Sequence, residues 1–267
     1  MTKRATTYAT YLAVDELLAL QRPLSSGPDG RPEHDELLFI VIHQVYELWF
    51  KQLLHELAEV QRTLETGETD TSLHLLNRIL KILKTLVAQI DVLETMTPLQ
   101  FLSFRDRLES ASGFQSAQFR EVEAVLGLRE ASVPAAFPVA SAARARIEAA
   151  QARRSVWGSF LAYLGARGHG LPEDVLARDP SLPPEPDERV QDALLAVYRG
   201  DADAALVAER LVDLDEGVQE WRYRHVKMVE RTIGTKRGTG GSAGVEYLRR
   251  TLFRPVFPDL WEIRGRL

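Results

Sequence analysis

Apolar residues recur along this chain every three or four positions, in stretch after stretch, and almost nowhere on strictly alternate positions. That is the period of a helix face and not of a strand. Tyr8 to Gln21 reads as one short amphipathic helix, stopped by Pro23 and the turn-rich run SSGPDGRPEHDE. From Glu36 to about Thr63 the chain runs through LLFIVIHQVYELWFKQLLHELAEV, apolar on nearly every face in its first half. This predicts a helix in the middle of a bundle. Between about Ser72 and Thr95, Leu76, Ile79, Leu83, Leu86, Ile90 and Leu93 alternate spacings of three and four, a seam for another long helix.

Thr97-Pro98 has the form of an N-cap followed by proline at the first helical position, opening a helix that carries Phe101, Phe104 and Arg105. A further helix follows SASG. Arg129 to Ala140 reads as an irregular connection. Helices resume over Ser141–Arg167, and after the loop DPSLPPEPDE near Arg189–Arg199 and Asp203–Ile233. The glycine-dense GTKRGTGGSAG then leads into a last short helix, VEYLRRTLF. With neither strand alternation nor a solenoid-length repeat, the expected fold is all-α, a multi-helix bundle. One domain is expected over 1–267, with 1–22 as an N-terminal arm and helix and 234–244 as a glycine-rich loop.

Composition narrows the function classes. An apolar fraction of 45% is enough for a sizeable core, and a net charge of −5 without a basic stripe gives no footprint for nucleic acid. No window approaches a run of uninterrupted apolar residues of membrane length, and MTKRATTYATYLAVDELL lacks the apolar centre of a signal peptide. A cytoplasmic protein with no membrane partner is the expectation. There is no cysteine, so disulfides, thiolate metal sites and cysteine nucleophiles are excluded. Any metal falls to His, Asp or Glu, and the histidines are His34, His43, His55, His74, His169 and His225. No repeated Glu-x-x-His spacing supports a di-iron carboxylate bundle, and His34-Asp35-Glu36 reads as a solvated helix start.

Two histidines lie on apolar faces. His225 shares one with Val218, Trp221, Met228 and Thr232, while Arg222, Arg224 and Lys227 fall elsewhere on the helix. It reads either as a core histidine bonded to a carbonyl or as an axial ligand to a flat apolar cofactor such as haem. His43 shares a face with Phe39, Tyr46 and Phe50. A buried imidazole there needs a partner, from the protein or from a ligand N–H. Phe101 and Arg105, four apart, set a ring and a guanidinium on one face, suited to a carboxylate but equally to a surface. The loop GTKRGTGGSAG follows a helix and its lysine precedes the glycines, so it is not a phosphate loop. It reads as a loop closing over a ligand or as an exposed hinge.

At the level of whole motifs the chain resembles the tryptophan 2,3-dioxygenase family. TYATYLAVDELLALQ, HDELLFIVIHQVYELWFKQLLHEL, TPLQFLSFRDRLESASGFQSAQFR and WRYRHVKMVERTIGTKRGTGGSAGVEYL carry the resemblance, in family order from about Tyr8 to Leu248. About 129–200 matches poorly. The resemblance implies haem b with His225 as proximal ligand and metal ligand, and Ser112 and Gly113 lining the haem pocket. It implies His43 bonding the indole N–H, Phe39 and Phe101 packing on the indole ring, Arg105 gripping the substrate carboxylate and Thr239 near its polar groups. Tyr8, Tyr11 and Leu12 fall in a helix that the family inserts into a neighbouring subunit of a homotetramer. Phe101 stands where some bacterial members carry tyrosine, and Ile42 replaces an often polar residue, which removes hydrogen-bonding groups from the expected distal pocket. The implied reaction is cleavage of the indole C2–C3 bond of L-tryptophan, or a substituted tryptophan, by O2 to N-formylkynurenine. Its rivals are a haem monooxygenase giving an oxindole-type product, a non-catalytic haem-binding or sensor protein, and a helical scaffold without a cofactor.

Overall fold

The computed structural model describes residues 6–108, 113–236 and 245–267, with Phe114 and Tyr247 described by their backbone. Two short helices, α1 (Tyr8–Leu12) and α2 (Val14–Leu18), precede the long α3 (His34–Glu65) and α4 (Thr69–Leu93). Then come α5 (Pro98–Arg105), α6 (Ala117–Leu126), α7 (Ser132–Ala135), α8 (Ala142–Gln151), α9 (Val156–Ala166) and α10 (Glu173–Leu176). The chain continues through α11 (Glu188–Gly200), the long α12 (Ala202–Ile233), α13 (Val245–Arg249) and α14 (Pro258–Glu262). Among the described residues there is no strand, and the all-α expectation holds.

The long helices follow from their patterns. α3 meets no breaker over 32 residues; Asp35 and Glu36 complement the positive end of its dipole and Arg62 the negative end. By length and composition α3 could also cross a bilayer; in the fold it packs against α4, α6 and α9. It turns back at Gly67, whose φ of 77° is in the left-handed region. The α4 seam is buried as its spacing predicts, from Leu76 to Leu93. α4 lies against α3 on one side and α12 on the other. The α12 contact is close: a Cβ added at Gly217 would meet Leu83 Cδ1 at 3.1 Å. Thr97 caps α5 with Pro98 in its first turn, as read from the sequence, and the structure adds Gln100, whose side chain accepts from the Thr97 N–H in return.

Several boundaries depart from the expected ones. The single helix over Tyr8–Gln21 is two pieces, broken where Ala13 adopts φ 51°. Ser141–Arg167 divides after Gln151, because Ser155 caps a new helix by accepting from the Gly158 N–H. The last expected helix stops at Arg249, and Pro258 starts one that periodicity did not show. The start at 34–36 is solvated at His34 but not at Glu36. Glu36 is buried, and its carboxylate accepts from the Leu24 and Ser25 backbone N–H groups, 2.8 Å each, and from the Ser25 hydroxyl. Burial alone would raise its pKa; those hydrogen bonds together outweigh burial and hold it below the usual range.

The C-terminal segment is tied to α12 through one carboxylate. Asp215 is fully buried, and its Oδ2 accepts from Val256 N at 2.8 Å, Phe257 N at 2.9 Å and Trp261 Nε1 at 2.9 Å. Gln219 Nε2 donates to Oδ1 at 2.8 Å. Removing this acceptor leaves buried donors unpaired, at a cost of about 3 kcal/mol. Asp215→Ala should therefore lower the unfolding free energy by that amount, read as a lower urea midpoint at unchanged slope. An unchanged midpoint would show that the clamp does not hold the fold.

Candidate active site

A cavity of about 520 Å³ lies where α3, α5, α6 and α12 converge, within the size range of small-molecule and cofactor sites. α3 presents Phe39, His43, Tyr46, Glu47 and Phe50, and α12 presents Trp221, Arg222, His225, Met228 and Thr232. The spacing of three and four on both helices brings these residues to one face each, and the seam with α4 turns the two faces toward one another. α5 adds Phe101 and Arg105, its last residue; α6 adds Phe119, Arg120 and Glu123.

One end of the cavity is aromatic. The rings of Phe39 and His43 have centroids 4.1 Å apart, Phe39 and Phe101 5.9 Å, and Phe104 meets Phe101 edge-on at 5.5 Å from behind. A second group centres on Trp221, stacked on His225 at 5.1 Å with planes 6° apart and tilted by 43° against Phe119 at 4.8 Å. Such walls exclude water and favour flat, apolar ligands.

Both histidines are neutral at physiological pH. His43 Nδ1–H donates to the carbonyl of Phe39 at 2.7 Å, which leaves the Nε2 lone pair to accept from a ligand. Burial lowers its pKa, against smaller raising effects from that carbonyl and from the Glu47 carboxylate. His225 is lowered to about 4, by burial first and then by the nearby His43 and Arg120. It lines the cavity. A neutral imidazole in an apolar slot is the form that coordinates a metal. No group of three or more His, Asp or Glu able to hold a metal ion occurs among the described residues. A metal at His225 would therefore need a carrier bringing its own ligands, as a porphyrin does, and the donor set fits haem.

The structure gathers Phe39, His43, Phe101, Arg105, Gly113 and His225 around one cavity. Ser112 and Thr239 lie outside the described residues. Tyr8, Tyr11 and Leu12 do not line this cavity; both tyrosines are 78% exposed. Two expectations are corrected. Ile42 is not a pocket residue: its side chain is buried behind the wall with Leu93, Met96, Phe101 and Phe104. Arg222, expected away from the apolar face, is 5% exposed and lines the cavity. It belongs to a buried cluster that the sequence reading missed, in which Glu123 accepts from Arg120 Nη1 at 2.6 Å and from Arg222 Nη2 at 2.8 Å. The signal was present only in part: Arg120 and Glu123 are three apart on α6, but Arg222 is 99 positions from Glu123.

A family model described as tryptophan 2,3-dioxygenase matches residues 1–137 and 187–267. A tryptophan 2,3-dioxygenase from Anaeromyxobacter sp. (strain K) is 60% identical over 98% of this chain and 97% of its own length. One from Herpetosiphon aurantiacus is 54% identical over 99% of each chain, and one from Caulobacter vibrioides 43% over 98% of each. The unmatched stretch in the family model falls within the poorly matched region of the sequence reading.

The state of His225 sets a pH dependence. Its pKa of about 4 in the folded protein lies below the ordinary 6.5, so on acidification the unfolded chain takes up the proton first. Stability is then flat above neutrality and falls between about pH 6.5 and pH 4, by as much as about 3 kcal/mol from this residue. His43 acts in the same direction. Urea unfolding of the cofactor-free protein at about pH 7.5 and about pH 4.5 should show the loss, and His225→Leu should show much less of it. An equal loss in the variant would place the titration elsewhere.

Proposed function

The chain belongs to the tryptophan 2,3-dioxygenase family, and from that premise we propose that it opens the indole ring of L-tryptophan, or of a close derivative, with O2. The C2–C3 bond breaks, each carbon takes one oxygen atom, and the product is N-formylkynurenine. The observation that supports this reading most directly is the pair of neutral imidazoles, His43 and His225, on one aromatic-walled cavity. Haem b held by His225, with Ser112 and Gly113 along its pocket, supplies the activation of O2 when bound.

The remaining roles belong to the chain's own groups. His43 Nε2 accepts the indole N–H; its Nδ1–H is fixed on the Phe39 carbonyl, so the ring presents one tautomer in one orientation. It holds the substrate proton without needing to remove it. Phe39 and Phe101 flank the indole and exclude water. The Arg105 guanidinium takes the substrate carboxylate, with Thr239 beside the polar end. The arm completes the arrangement: Tyr8, Tyr11 and Leu12, exposed on their own protomer, serve a neighbouring subunit's site within a homotetramer.

Incubating the ferrous haem-loaded protein with L-tryptophan under isotopically labelled O2 should give N-formylkynurenine carrying two labelled atoms. One labelled atom in a product with its ring system intact would assign the chain to single-oxygen insertion instead. In the same preparations, His225→Ala should lose the Soret band and His43→Ala should keep it.

Arg105→Leu should weaken L-tryptophan binding by about 2–5 kcal/mol, the range for truncating one partner of a buried charge pair. Tryptamine, which lacks the carboxylate, should bind poorly and equally to both proteins. Normal L-tryptophan affinity in the variant would remove Arg105 from the site.

A further inference from the structure

We infer that Arg120, Glu123 and Arg222 form a second anion subsite in the cavity, which holds a carboxylate of the cofactor; this rests on the haem reading above. Two guanidinium groups share a single carboxylate here, and all three side chains are nearly inaccessible, 8%, 12% and 6% exposed. Besides the neutral His43, His225 and Tyr46, the other titratable side chains on the described wall are Arg105 and Glu47. Glu47 is already occupied, accepting from Gln118 Nε2 at 2.7 Å. Arg120 and Arg222 thus meet at one carboxylate on the wall of an apolar space, where a buried guanidinium favours an anionic partner.

A second observation points the same way. Arg222 Nη1 is buried and has no hydrogen-bond partner. Arg222 is on the cavity wall, three positions before His225 and so within one turn of it. Buried polar groups are nearly always satisfied, and donors left open at a cavity mark where a bound group supplies the acceptor. A guanidinium with a free edge suits a carboxylate. Protoporphyrin carries two carboxylates on one edge of an otherwise apolar disc, and this cluster offers them a cationic donor.

The test compares iron protoporphyrin IX with its dimethyl ester, which blocks both carboxylates. Each is titrated into the full-length cofactor-free protein in the same detergent buffer, followed by the Soret band and by quenching of tryptophan fluorescence. The unaltered protein should prefer the free acid at least tenfold. Arg222→Met and Arg120→Met should bring the two ligands to near parity, with ester affinity little changed. Glu123→Gln should keep or increase the preference, because it removes the competing carboxylate. If Arg222→Met does not fold, Arg120→Met and Glu123→Gln still separate the alternatives. Equal affinity for acid and ester in the unaltered protein overturns the subsite while leaving the haem reading intact. A preference unchanged in every variant overturns it as well, and shows the cluster to be a structural ion pair. Failure of both porphyrins to bind overturns the haem reading and the subsite together.

Discussion

The arrangement depends on the fit of α12 across α4, where the absent side chain of Gly217 lets Leu83 approach. α3 and α12 both pack on α4, so the distance of each from α4 sets their distance from one another. The cavity is the space between these two helices, 32 residues each, bounded by α5 and α6 and by the contacts of Tyr46 and Phe50 with Trp221. Rigid walls are what allow an apolar space to persist in a protein interior, where packing otherwise closes such gaps. Length matters as well: a long helix anchored in the core at one end can carry a side chain on its other half without losing position.

Within that frame the electrostatics divide by depth. The histidines sit where charge is disfavoured, and the imidazoles stay neutral as bases and potential ligands. The arginines sit where a carboxylate partner or a ligand can meet them. Among the described residues, Asp215 and Glu36 are met by N–H groups and Arg129 by the carbonyls of Ala124, Ala150 and Arg153. The cluster around Glu123 is where that matching leaves donors over.

Periodicity made most of the fold legible. The α4 seam, the cap at Thr97 and the faces of His43 and His225 could be read directly, because each depends on residues within a turn or two of one another. What escaped depends on distant partners. Glu36 looks like an exposed acid at a helix start until Ser25 folds against it, and Arg222 looks like surface charge until Glu123 arrives from α6. Pro258 starts α14 after a stretch with no helical period, and its place is set by packing on α11 and α12. Ile42 was misjudged for a related reason: sequence adjacency to His43 places it on a different face of α3, about 100° away. The roles of Arg105 and Thr239 came from resemblance alone, since spacing cannot tell a carboxylate-binding arginine from a solvated one.

The clamp at Asp215 also bears on the order in which the molecule assembles. Its backbone and indole donors lie 41, 42 and 46 positions further along the chain. Contacts of that separation require a large loop to close before they repay its entropy, so they form after the local turns of α3, α4 and α12. During synthesis, Asp215 leaves the ribosome before the residues that will satisfy it have been made. The middle of α12 therefore spends a period with a charged carboxylate unanswered and its flank uncovered. Until then the flank of α12 lacks the contacts that Val256, Phe257 and Trp261 make with it.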